Sequence, residues 1–152
     1  MRCLLIDQIR EINSNSITAV KYLSVNEDIY EYHFPKNPVF PAAFMVEMII
    51  QLGRMFTWNH SDFQYTLLPL HFKKFKFHKM IKPGLILEVF IEFYNLEEDL
   101  QVNQLVKLKA KGMSLESVLY EGVMECKIVL FKELQNEETC RDYLDYCLKT
   151  EK

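Results

Sequence analysis

Residues 33–51 read HFPKNPVFPAAFMVEMIIQ, and the change of rhythm inside this stretch decides the fold. Pro35, Pro38 and Pro41 hold His33 in a turn, and Pro41 serves as a first helical residue because its missing N–H would have no intrahelical partner there. A helix then runs to Trp58, and Ala42, Ala43, Phe44, Met45, Val46, Met48, Ile49, Ile50, Leu52, Met55 and Phe56 surround its axis on nearly every side, the mark of a helix buried all round. The strongly polar members Glu47, Gln51 and Arg54 fall on one stripe at spacings of four and three. A carboxylate in such a run is costly to bury unless something uses it. Glu47 is therefore a candidate functional group, or the partner of Arg54 in a buried ion pair two turns on.

Outward from this helix the rhythm becomes two. On the N-terminal side, Leu4–Ile12 and Ile17–Val25 read as short strands joined by the turn-forming NSNS. Downstream, LHFKKFKFHKM alternates so that Phe75 and Phe77 share one face and Lys74, Lys76 and His78 the other. LILEVFIEFYNL, QVNQLVKLKAKGM and SVLYEGVMECKIVLF are three long strands, with turns expected at Pro83–Gly84, Glu97–Asp99 and Gly112–Ser114. Five or more strands around one central helix make an α+β domain over residues 1–132. Residues 133–152 form a helical extension whose apolar face is Cys140, Tyr143, Leu144, Cys147 and Leu148, with Asn136 as its cap.

Composition narrows the function classes. With 49% hydrophobic residues the chain can build a real core, and a net charge of −3 argues against nucleic acid as the main partner. The longest apolar run, Phe40–Ile50, is too short for a membrane span, which needs about 20 apolar residues. Cys3, Cys126, Cys140 and Cys147 form no CxxC pair and follow no apolar leader, so a reducing cytoplasm suits them and no metal site is expected. His60, His71 and His78 have no metal-ligand spacing.

LLIDQIREI, then VNEDIYEYHFPKNPVFPAAFMVEMIIQ, then FKFHKMIKPG follow one another as in the FabZ/FabA-type 3-hydroxyacyl-[acyl carrier protein] dehydratases, which this chain resembles over roughly residues 3–130. Glutamate rather than aspartate at position 47 makes it more similar to the FabZ branch. The resemblance implies the hotdog fold, a curved antiparallel β-sheet wrapped around one long central helix and pairing as a dimer. It implies conversion of a 3-hydroxyacyl thioester to the trans-2-enoyl thioester, in fatty-acid or polyketide/polyene biosynthesis. His33 would take the C2 proton and Glu47 would assist loss of the C3 hydroxyl, the two coming from opposite protomers. Desolvation of Glu47 in its apolar helix would favour the protonated form an acid needs, and Gln51 would orient its carboxyl group. The backbone N–H groups of Ala42 and Ala43 would hold the thioester oxygen. No cofactor is implied beyond the phosphopantetheine arm of an acyl carrier protein, which delivers the substrate.

Acyl carrier proteins are acidic, so Lys73, Lys74, Lys76, Lys79 and Lys82, with Arg54, form a candidate docking patch; the plainer reading of a lysine run is a solvated strand face. Three departures stand out. The glycine that the resemblance predicts after His-Phe-Pro is Lys36, the glycine after Pro41 is Ala42, and the Pro-Gly-Asp turn is Pro83-Gly84-Leu85. They leave room for a homodimer or higher oligomer, for a non-catalytic or half-active subunit in a heterodimer with a second hotdog chain, and for an acyl thioesterase of the same fold.

Overall fold

Apolar residues at helical spacing after Pro41 do form one long helix, and the period-two segments pair into one sheet around it. The structure, a computed structural model, describes residues 3–149. Its elements in chain order are β1 (Gln8–Ile12), β2 (Ser16–Tyr22), a 3-10 turn (Asp28–Glu31), α1 (Ala42–Ser61), β3 (Tyr65–Phe77), β4 (Ile86–Tyr94), β5 (Leu105–Ser114), β6 (Ser117–Leu130), a second 3-10 turn (Phe131–Glu133) and α2 (Glu137–Leu148). The six strands, all antiparallel to their neighbours, lie in the order β1-β2-β4-β5-β6-β3, so β1 and β3 are the edges. This is the α+β hotdog fold. Among the described residues no helix is long and apolar enough to cross a membrane.

The core lies between α1 and the inner face of the sheet. Met48, Ile49, Leu52 and Met55 are wholly buried against Leu67, Leu87, Val89, Ile91 and Leu108. Each such side chain contributes about 1.5–3 kcal/mol on burial. Strand β5 shows why the sheet faces inward this way round: Val106, Leu108, Ala110 and Gly112 are buried while Leu105, Lys107, Lys109 and Lys111 are exposed. The composition of the helix predicts burial all round, and the structure corrects this. Ala42 and Ala43 are exposed, and Val46, Glu47, Gln51 and Arg54 are half-buried along one open stripe. Arg54 does not pair with Glu47; its Nε donates to the Leu67 carbonyl at 3.1 Å and ties α1 to β3.

The boundaries differ from the sequence reading for local reasons. Pro41 is the N-cap rather than the first helical residue, with φ −63° and ψ 138°. Helix α1 continues past Trp58 to Ser61, through the exposed Asn59 and His60, where the apolar pattern has nothing left to report. Asp62 ends it in the left-handed conformation, donating its N–H to the Trp58 carbonyl. The strands before it are shorter than the apolar runs, although the NSNS turn is present, with Asn13 N–H donating to Ser16 O at 2.8 Å. In β3 the register shifts between Lys73 and Lys76 and Lys74 has a φ of 52°, so strict alternation breaks and Phe72 joins Phe75 and Phe77 in an aromatic row.

The expected turn at Gly112–Ser114 is displaced. Gly112 lies inside β5, and the hairpin loop is Leu115–Glu116, both at positive φ, between the paired Ser114 and Ser117. Two consecutive residues with positive φ are the type I′ geometry that suits strand twist. Gly112 has a different purpose, since a Cβ there would fall inside the Tyr120 ring of the neighbouring strand. Gly112→Ala is expected to destabilise the fold by about 1–3 kcal/mol through overpacking, read as a lowered urea midpoint with an unchanged slope.

Helix α2 starts where its cap predicts. The Asn136 side chain accepts the Thr139 N–H at 3.0 Å, and Leu144 and Cys147 are buried. It packs on β1 and the residues just before it, so the extension covers its own chain.

Candidate active site

His33 follows the first 3-10 turn, and the backbone around it is closely tied. Its N–H donates to Ile29 O at 3.0 Å, its carbonyl accepts Val39 N–H at 2.8 Å, and Phe34 and Asn37 exchange hydrogen bonds across the proline-spaced loop. The ring stacks on Phe34 with centroids 4.2 Å apart. Nδ1 lies 2.9 Å from the Val39 carbonyl oxygen. A carbonyl can only accept, so Nδ1 carries the proton and Nε2 of the neutral ring keeps its lone pair. The contact thus selects Nε2 as the basic atom. Val39 is a residue that composition could not single out, because it acts through its backbone.

Lys36, which stands where the resemblance predicts glycine, has a φ of 65°. The loop is therefore in the left-handed conformation that glycine adopts freely, although the residue here is lysine.

At the start of α1 no side chain caps the helix. The first amides to find backbone acceptors are those of Phe44 and Met45, both on Pro41 O at 3.0 and 3.2 Å, so the N–H groups of Ala42 and Ala43 stand ahead of the ladder on an exposed turn. Phe40, just before, donates its N–H to Ile81 O and bridges this entrance to the segment after β3.

One turn beyond Glu47, Gln51 Nε2 donates to Glu47 Oε1 at 3.0 Å and to the Cys3 carbonyl at 2.7 Å, while its Oε1 accepts Leu5 N–H at 2.9 Å. A flipped amide would face a donor with a donor at Leu5, so this geometry admits one orientation and aims the NH2 group at the carboxylate. Glu47 is half-buried rather than enclosed in the single chain. Within one protomer His33 and Glu47 hydrogen-bond to different partners. Burial first, and the Glu47 carboxylate second, push the Cys3 thiol up, so it stays un-ionised beside this group.

The lysines divide. Lys73 donates to Glu125 at 2.7 Å and, with His71 at 3.3 Å, helps hold that carboxyl below the usual carboxylate range. Lys74, Lys76, Lys79 and Lys82 are exposed and make no ion pair among the described residues. Arg54, half-buried and bonded to Leu67, has a different setting from these four.

Residues 1–121 match the family model of the FabA-like domain. The chain belongs to the FabA-like family. A FabZ 3-hydroxyacyl-[acyl carrier protein] dehydratase of Levilactobacillus brevis is 33% identical over 91 residues, 59% of this chain and 62% of that protein. The FabZ dehydratase of Caldicellulosiruptor bescii is 31% identical over 121 residues, 78% of this chain and 83% of its own length. This FabA-like chain thus spans less than two thirds of the first relative and most of the second. Its fold is also that of Cj0977, a sigma28-regulated virulence protein of Campylobacter jejuni, with a TM-score of 0.60 at 17% identity, covering 84% of this chain and 79% of that one.

Proposed function

We propose that this FabA-like chain is a 3-hydroxyacyl-[acyl carrier protein] dehydratase, a hydro-lyase working in the cytoplasm without a cofactor of its own. The observation that carries the reading is the pair of fixed groups in one proline-spaced segment, a histidine with its Nε2 lone pair left free and a carboxyl group oriented by Gln51. His33 Nε2 removes the C2 proton. The N–H groups of Ala42 and Ala43 stabilise the charge that grows on the thioester oxygen. Glu47 gives its proton to the C3 hydroxyl, the C3–O bond breaks as the C2–C3 double bond forms, and water leaves. The proton on His33 returns to Glu47 through solvent, which restores both groups.

Two protomers supply one site in this reading. The open stripe of α1 and the free edge of β3 favour pairing at that face, as a homodimer or as a heterodimer with a second hotdog chain. The test is the purified chain with a short 3-hydroxyacyl carrier protein. Growth of the conjugated enoyl absorbance, reversed by starting from enoyl substrate, supports the dehydratase. Free thiol without enoyl product makes the protein a thioesterase, and activity only after a second hotdog chain is added makes it a subunit of a heteromer.

The unpaired lysines support an acidic carrier as the partner. Lys74→Glu with Lys76→Glu is expected to raise the apparent KM for the acyl carrier protein roughly three- to tenfold with kcat little changed, and to flatten its dependence on salt. Steady-state kinetics across a sodium chloride series checks this, and an unaltered KM rules out docking at these positions.

A further inference from the structure

The chain carries α2 beyond the residues that match the FabA-like family, and the helix makes an unusual contact. One hydroxyl, that of Tyr143, serves both backbone groups of one residue: it accepts Ile6 N–H at 2.9 Å and donates to Ile6 O at 2.8 Å. The Cys147 thiol lies on the same carbonyl at 3.4 Å. Burial, its largest cause, pushes the Cys147 thiol up to about 12 and the Tyr143 hydroxyl above its ordinary range, so both remain protonated donors near neutral pH.

Ile6 lies in a segment that otherwise has little backbone support. The sheet ladder begins at Asp7, whose N–H donates to Val20 O, and β1 itself starts at Gln8. Immediately before that point, Cys3 O and Leu5 N–H hold the Gln51 amide, and Gln51 holds Glu47. The buried side chains of Leu5 and Ile6 pin the segment to the core between these two sets of bonds.

We infer that Tyr143 is a positioning residue for Glu47, acting through Ile6, the Cys3–Leu5 backbone and Gln51, so that the C-terminal helix helps to aim the reacting carboxyl group. This rests on the proposed dehydratase reading for its effect on rate, but the chain of hydrogen bonds can be tested without it. A loosened Ile6 lets Leu5 and Cys3 shift, and the Gln51 amide then loses two of its three partners.

The experiment compares Tyr143→Phe with Ile128→Val, a core trim in β6 that touches none of these bonds. In the full-length protein, hydrogen exchange of the Gln51 side-chain NH2 is followed by nitrogen-15 NMR, and kcat and KM are measured at a temperature where both variants are folded. Tyr143→Phe is expected to speed Gln51 exchange and to lower kcat about fivefold with KM nearly constant. Ile128→Val should move neither. Unchanged Gln51 exchange in Tyr143→Phe, or an equal fall of kcat in Ile128→Val, overturns the positioning role. If the unaltered protein has no dehydratase activity, the functional reading fails, while the NMR comparison still decides the relay.

Discussion

Glu47→Gln is expected to lower the proposed dehydration rate by about 10²–10⁴-fold with little change in KM or thermal stability. The substitution keeps the shape of the side chain and leaves an oxygen for the Gln51 NH2, so the bond that now fixes the carboxyl group has a substitute. It removes only the ionisable proton. Because Glu47 is half-buried, no large unsatisfied group is created. Steady-state enoyl formation and a thermal melt together check the prediction; activity within a few-fold of the parent shows that the proton comes from elsewhere.

His33→Ala is expected to cost a similar factor, about 10²–10⁴, because the loop holds no second imidazole. Its structural cost is about 1 kcal/mol, for the lost bond to Val39 O and the stack on Phe34. A melting temperature close to the parent's alongside lost turnover separates chemistry from unfolding. The two variants also test each other. If His33 and Glu47 of one site come from different protomers, mixing inactive His33→Ala with inactive Glu47→Gln and allowing subunit exchange should restore roughly a quarter of the parental activity, since half the dimers are mixed and each has one intact site. If both groups come from the same protomer, mixing restores nothing. This outcome is independent of the size of either single loss.

The features legible in the sequence were those with a period or a side-chain identity. The long helix after Pro41, the long strand that becomes β5, the Asn136 cap and the Glu47–Gln51 contact all follow from spacing or residue type. What stayed hidden is carried by backbone. The Val39 carbonyl that selects the histidine tautomer, and the Cys3 and Leu5 groups that lock Gln51, would be supplied by almost any residue at those positions. The Leu115–Glu116 turn was hidden for the opposite reason, since neither residue favours positive φ and the nearby Gly112 offered a false signal. The open stripe on α1 was half legible: Glu47, Gln51 and Arg54 mark it by their polarity, whereas Ala42, Ala43 and Val46 look alike whether they meet the core or another surface.

Strand β6 runs from Ser117 to Leu130, whereas the shared family region closes at residue 121. A gene fragment cut to that shared region would sever the strand after five residues and leave β3 without a neighbour from Tyr65 to Lys73, stripping the backbone pairing from the stretch that carries Leu67 and the Arg54 anchor. The useful cloning limit is therefore set by strand pairing, and trimming to residue 121 would yield aggregate instead of a folded domain.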